Sequence, residues 1–460
     1  MTAVQPRSGI EPRLALTIFA AALAVRLVNI LLLPDGAAGH FLDDSHGYWD
    51  EAAILNDRGW LYWWDSTLGA LPERRPPLYM YFLAVSRALF GPSLAMAAVL
   101  QAAVDAGSCV LIGLLAARID TTTARWSGAL AAVWPALVIH SALIVSDSLF
   151  LFLFLLAIAL GLRAADTGRA GHAAAAGLAF GFAVITRNVI QFLYPVAILA
   201  LVFALWRRGI RRALVSAFVF AIAAALLPGT IIQRNIADFD TPALTSQTGA
   251  HILNWVLPEI RYLADGTPPS ASRAEHNRIL EERLASRPEA DGPATSFTLD
   301  RMMRDIAGEQ MRELPFDAYL RAWLVGAITN LVAPPVISDP RVRALPKPSF
   351  AETAGDGARD RIERYLDKSG GAYLSSLLFG LAFAALAGAA QIWGAACLLR
   401  TRPWIALAAL ALVAYVLAVT GPVTGPKYRL PAEPALIVFA AAGLADLSRR
   451  LKLWRGRGRT

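Results

Sequence analysis

Charge is scarce in this sequence. Asp, Glu, Lys and Arg make up 17% of its 460 residues, where soluble domains carry about a quarter. Cysteine is scarcer still. Cys109 and Cys397 both fall in apolar runs, with no second Cys or His at ligand spacing, so they read as small hydrophobes and not as a disulfide or a metal site. No repeat recurs at a fixed period. These shortages argue against a soluble enzyme, a disordered scaffold and a disulfide-stapled secreted domain.

What is abundant is apolar sequence, at 56% hydrophobic residues and a mean hydropathy of +0.48. It is gathered into runs, and a helix needs about 20 residues to cross a bilayer. Ten candidate spans follow: 14–33, 94–117, 126–144, 148–162, 173–190, 191–206, 213–232, 373–398, 403–420 and 433–448. The first lacks a small-residue cleavage site and reads as a span, not a cleavable signal.

Orientation follows from Lys and Arg in the short loops. With both termini in the cytoplasm, the loops on that side hold 18 of the 43 Lys and Arg and 3 of the 35 Asp and Glu. The formal charge of +8 thus divides into a strongly basic cytoplasmic face and an acidic remainder. The basic tail, 449–460, is explained by topology and anionic lipid, and no nucleic-acid partner is expected. Two further apolar stretches, 77–90 and 317–335, would invert the later loops if counted as crossings. They are read as helices in the outer interface. The expected architecture is an all-α integral membrane protein of about ten spans with two or three juxtamembrane helices. Its parts are a module over 1–232 with an outer loop at 34–93, a large mainly helical outer loop at 233–372, C-terminal spans over 373–448 and the tail.

Ionisable residues collect at the outer ends. Asp43, Asp44, His46, Asp50 and Glu51 lie within nine residues of the first outer loop. Asp44, Tyr48 and Glu51 share helical spacing, so Asp44 is open to two readings, helix cap or catalytic carboxylate. Asp147 stands between two apolar runs, where a carboxylate is costly and commonly functional. The alternative is a capped turn at Ser146-Asp147-Ser148. Arg74 and Arg75, Arg187, Arg234, Lys427 and Arg429 lie on the same side, and arginines beside carboxylates suit an anionic ligand such as a phosphate. His40 and His46 near Asp43 and Asp44 offer ligands to a divalent ion, but without a recognised spacing, and a metal is left open. Arg26 and Asp105 lie within spans, and Asp105 reads as a polar contact between helices.

Taken in order, these residues form a series of short motifs: Asp44-Ser45-His46-Gly47-Tyr48, Arg75-Pro76-Pro77-Leu78-Tyr79, Ser146-Asp147, Ile185-Thr186-Arg187-Asn188, Arg234-Asn235 and Tyr428-Arg429-Leu430-Pro431. The series resembles the GT-C superfamily of polytopic membrane glycosyltransferases, in the bacterial branch similar to protein O-mannosyltransferases and aminoarabinose transferases. Asp147 stands where many relatives have Glu, and Asn188 where they have Pro. The resemblance implies inverting transfer of a sugar from a polyprenyl-phosphate carrier to an acceptor hydroxyl of an envelope lipid, glycan or protein, at the periplasmic face of the cytoplasmic membrane. It implies Asp44 as base with Asp43 in support, and Asp147 orienting a cation or the sugar. Arg75 and Arg187 would hold the donor phosphate, with Arg234, Arg429 and Lys427 as further candidates and His46, Tyr48 and Tyr79 in support. The rival readings are a ligase using a diphosphate donor and a lipid or sugar transporter.

Overall fold

The computed structural model describes residues 10–42, 44–64, 74–288, 292, 294–348, 353 and 358–457. Among them every regular element is helical. The first half runs α1 (Pro12–Leu31), α2 (Ala37–His40), α3 (Ser45–Arg58), α4 (Leu78–Phe90), α5 (Leu94–Ala116), α6 (Thr121–Val133), α7 (Pro135–Ser141), α8 (Asp147–Thr167), α9 (Ala170–Val184), α10 (Tyr194–Leu205) and α11 (Ile210–Phe239). The large loop contributes α12 (Thr248–His251), α13 (Leu257–Asp265), α14 (Pro269–Ala285), α15 (Ser296–Arg312), α16 (Phe316–Val332), α17 (Pro340–Arg343) and α18 (Ala358–Asp367). The chain ends with α19 (Gly371–Thr401), α20 (Pro403–Thr420), α21 (Pro426–Arg429) and α22 (Glu433–Arg457).

Eight described helices are long and apolar enough to cross a membrane. Of the other two expected spans, one is broken into two short helices and one stops early. Segment 126–144 is not one helix, because Pro135 has no N–H to continue α6, and the chain restarts there as α7 with Pro135 in its first turn. Segment 173–190 stops at Val184, where Arg187 turns extended at φ −148°. The span expected at 148–162 is longer than its apolar run: α8 starts on Asp147 and continues to Thr167. The stretches 77–90 and 317–335 form the separate short helices α4 and α16.

The spans are held by small residues and a few satisfied polar groups. Gly177 and Gly181 of α9 lie against the backbone of α11, where an added Cβ would come within 2.4 Å and 2.7 Å of carbonyl oxygens. Arg26 of α1 is fully buried. It donates from Nε to Asp105 on α5 at 2.6 Å, and from Nη1 to the carbonyl of Ala132 at 2.9 Å. One guanidinium thereby pairs a buried carboxylate and serves the end of α6, where its Nη2 also lies 3.4 Å from the carbonyl of Ala131, the one that Pro135 leaves without its usual partner. The expected helix–helix role of Asp105 is what the geometry displays. Cys109 lies beside the same guanidinium, and neither cysteine is in a disulfide. Large apolar side chains point outward along α10 and α19, among them Phe203, Leu199, Phe379 and Ile392, as lipid contact requires.

The two ends of the bundle are built differently. At one end Arg118 pairs with Asp166 and Arg449 with Asp120. At the other, α3 and α4 pack on the ends of the spans through Tyr48, Leu55, Met80, Leu83, Ile144 and Ile185. Asp147 and Asp166 stand near opposite ends of α8, about 29 Å apart at the rise of a helix. The large loop closes over the second end. Arg341 donates to Asn29 Oδ1 at 2.8 Å and Arg343 to the Phe41 carbonyl at 3.0 Å, while α13, α15 and α16 build small apolar cores of their own.

Candidate active site

Asp44 precedes α3 but does not cap it, for its side chain accepts no hydrogen bond from the helix amides. The carboxylate is turned to cations instead. Its Oδ2 accepts from Lys427 Nζ at 3.0 Å, and Oδ1 lies 3.6 Å from Arg75 Nη2. Its side chain is 48% exposed, so it can be reached from outside. Burial alone would raise its pKa. The charge and hydrogen bond of Lys427 outweigh that, with help from Arg75 and Arg187, and hold it below the ordinary carboxylate value.

Arg75 reaches this position because α3 has a glycine beneath it. A Cβ on Gly47 would stand 2.0 Å from Arg75 Nη1. The guanidinium also lies 3.9 Å from Glu51 Oε1 and 5.1 Å from the centre of the Tyr48 ring. Just after the double proline that follows Arg75, the amide of Leu78 donates to the carbonyl of Ile185 at 3.1 Å. That bond joins the Arg75-Pro76-Pro77 turn to the strip bearing Arg187.

Arg187 pairs with Asp147. The capped-turn reading of Asp147 fails in the same way as that of Asp44: no side chain caps α8 at Ser146, and the Asp147 carboxylate is committed to the guanidinium. Tyr48 links the two pairs. Its ring meets Tyr79 edge-on at 5.0 Å and its hydroxyl lies 3.4 Å from Ser146 Oγ. Burial, the largest influence, raises the Tyr48 pKa, so the phenol stays protonated. Asp44, Arg75, Tyr48, Asp147, Arg187 and Lys427 thus form one cluster with two carboxylates and three cations.

Other expected site residues lie elsewhere or face inward. Arg429 does not face this cluster. It is 5% exposed, with Nε on Glu433 at 2.7 Å and Nη1 on the carbonyls of Asn330 and Leu331 at 2.8 and 2.6 Å. These are the contacts of a structural arginine: Glu433 also accepts from Trp134 Nε1 at 2.8 Å, so Arg429 ties α16 to the last span. Arg234 stacks on Trp63 at 4.0 Å and donates to Asn235 Oδ1 and the Trp63 carbonyl. Tyr79 is fully buried and donates to Gln101 Oε1 at 2.7 Å. His46 packs edge-on to Phe41 at 4.6 Å. His40 is buried, with Nδ1 2.8 Å from the Ala142 carbonyl. Asp43 lies outside the described residues, and among those described no three His, Cys, Asp or Glu side chains gather as a metal site would need.

Sequence reasoning missed Gly47 and Gln101. Gln101 is fully buried on α5, and its amide donates toward the carbonyls of His140, Ser141 and Leu143 at 3.1, 3.1 and 2.7 Å. It thereby closes the end of the half-helix α7 next to Asp147. A lone amide inside the run AVLQAAVD was the available signal.

Residues 74–232 match the family described as dolichyl-phosphate-mannose-protein mannosyltransferase, a stretch that holds Arg75, Asp147 and Arg187 and ends just before Arg234. No curated protein matches. Among solved structures, ArnT from Cupriavidus metallidurans is similar in the apo state, at 15% identity and a TM-score of 0.37. The same protein bound to undecaprenyl phosphate is similar at 14% identity and a TM-score of 0.38. Each likeness covers 94% of this chain and 76% of that one, and scores of this size carry no weight on the chemistry. On the family match, the GT-C-type membrane glycosyltransferase expected from the motifs is borne out over residues 74–232.

Proposed function

We propose that this protein is an inverting glycosyltransferase that moves a sugar from a polyprenyl-phosphate carrier to an acceptor hydroxyl at the outer face of the membrane. The observation that carries the reading is Asp44, half exposed and held between Lys427 and Arg75, with the Asp147–Arg187 pair in the same cluster.

Asp44 takes the proton of the acceptor hydroxyl as that oxygen forms its bond to the anomeric carbon. On the opposite face the bond from the anomeric carbon to the phosphate oxygen breaks, and its electrons leave with the lipid phosphate. Arg75, Arg187 and Lys427 stabilise the charge that develops there. A carboxylate with a depressed pKa is a poor base, and donor binding removes the handicap. The phosphate draws Lys427 and Arg75 away from Asp44, and a fresh anion beside the carboxylate raises its affinity for a proton. The base is therefore weak without donor and competent with it. The bilayer takes up the prenyl chain, and the acceptor is an envelope lipid, glycan or protein.

The test is purified protein in detergent or nanodiscs with a panel of polyprenyl-phosphate sugars and a hydroxyl acceptor, with and without chelator. Release of polyprenyl phosphate from one donor, abolished in Asp44→Asn, is the expected result. Turnover of a polyprenyl-diphosphate donor alone would assign a ligase, and movement of an intact lipid without bond cleavage a transporter.

A further inference from the structure

Residues 240–251 enter the large loop directly after Arg234-Asn235, and the motif series passes over them. They are pinned on several sides. Asn235 Nδ2 donates to the Ala243 carbonyl at 2.6 Å, and Leu244 packs against the apolar clusters of α9 and of α3–α4. Asn188, the residue after Arg187, donates from Nδ2 to Thr245 Oγ1 at 3.3 Å. Asp300 of α15 accepts from the Gly249 amide at 2.6 Å, and a Cβ on Gly249 would meet the Asp300 carbonyl oxygen at 2.1 Å. This strip is thus a fixed wall beside the cation cluster.

Two groups on the wall are not used in that fixing. Ser246 is 6% exposed, and its Oγ is buried without a hydrogen-bond partner among the described residues, an arrangement that costs free energy unless a ligand or water completes it. His251 is partly exposed, and the charge of Lys427 acts on it. Burial first, and then that charge, lower its pKa and keep the imidazole neutral, so that it can both donate and accept a hydrogen bond.

We propose that Ser246 and His251 read hydroxyl groups of the transferred sugar, and that the 245–251 strip sets donor specificity. The inference rests on the transfer reading and adds its sugar subsite. A serine hydroxyl and a neutral imidazole suit polyol recognition, because each can exchange donor and acceptor roles with a sugar hydroxyl. Asn188 acts through Thr245 as a positioning residue. A site built to bond a hydroxyl rejects the analogue that lacks it, since its own polar group is then left unpaired.

The experiment compares wild type, Ser246→Ala and His251→Gln on the donor that wild type turns over and on its singly deoxygenated analogues. Each variant is expected to raise the KM for the parent donor roughly five- to tenfold, the size of one hydrogen bond. Each should also lose the discrimination against one particular deoxy donor that wild type shows. Membrane yield and Tm, measured alongside, should be unchanged. Penalties that are uniform over all donors, or absent, would overturn this inference and leave the transfer reading standing. If wild type releases polyprenyl phosphate from no donor, the transfer reading itself falls, and the sugar subsite with it.

Discussion

Lys427 Nζ lies 3.0 Å from Asp44 Oδ2, a contact between residues 383 positions apart in the chain. It unites the loop that follows α1 with the segment entering the last span. Asp44→Asn keeps the shape of the side chain but cannot take a proton. Transfer should fall by at least about 100-fold, the lower end of what a general base contributes, with expression and membrane insertion intact. Normal turnover by purified D44N would remove Asp44 from the mechanism.

The same contact predicts a pH dependence. Asp44 is depressed in the folded protein. Its pairing therefore stabilises above the unfolded carboxylate value, near 4, and is lost as pH falls through the lower folded one. With the side chain half exposed, the effect on stability is small. The effect on rate is more useful. In Lys427→Met the acid limb of kcat/KM should move to higher pH, because the main cause of the depression is gone. A limb that moves down would show that another group titrates there.

Gly47→Ala separates stability from activity. In a helix interior alanine is favoured over glycine by up to about 1 kcal/mol, so Tm should hold or rise. The new methyl would displace the Arg75 guanidinium from above α3, and transfer should fall with a raised donor KM. Unchanged kinetics would mean that Arg75 need not occupy that place.

Arg187→Lys should be costly although charge is retained, since an ammonium on a shorter stem cannot reproduce the reach and direction of the guanidinium Nη1 at Asp147. A drop in kcat that exceeds any change in Tm is the expected result. Equal losses in both would mark the pair as structural.

Removal of the buried partner in the bundle has the opposite profile. Asp105→Ala leaves Arg26 charged and buried, which costs about 3–5 kcal/mol. Loss of yield and a lowered Tm should precede any kinetic effect. Restored Tm in Arg26→Met with Asp105→Leu would confirm that charge burial is the cause.

Much of this was legible because bilayer physics constrains sequence so strongly. The apolar runs located every long span, and the short motifs located Asp44, Arg75, Asp147 and Arg187. The errors have identifiable reasons. Hydropathy counts apolar residues and not backbone donors, so the segment holding Pro135 read as one span. Arg429 reads like Lys427 in sequence, and only packing sends one inward to Glu433 and the other outward to Asp44. Gly47 is required by an arginine 28 residues later, and no local pattern records that. Ser246 and His251 were passed over because Asn188, which bonds the adjoining Thr245, and Lys427, whose charge reaches His251, are distant in sequence.

Gln101 has a consequence for assembly in time. The amide that closes α7 belongs to an earlier helix, so the floor of the site can be completed as soon as α7 leaves the translocation machinery. Lys427 arrives almost three hundred residues later. Until the final helix is inserted, a nascent chain holds its carboxylate without that cation. The charge balance of the cluster, with Asp44 held between Lys427 and Arg75, is therefore a property of finished molecules alone.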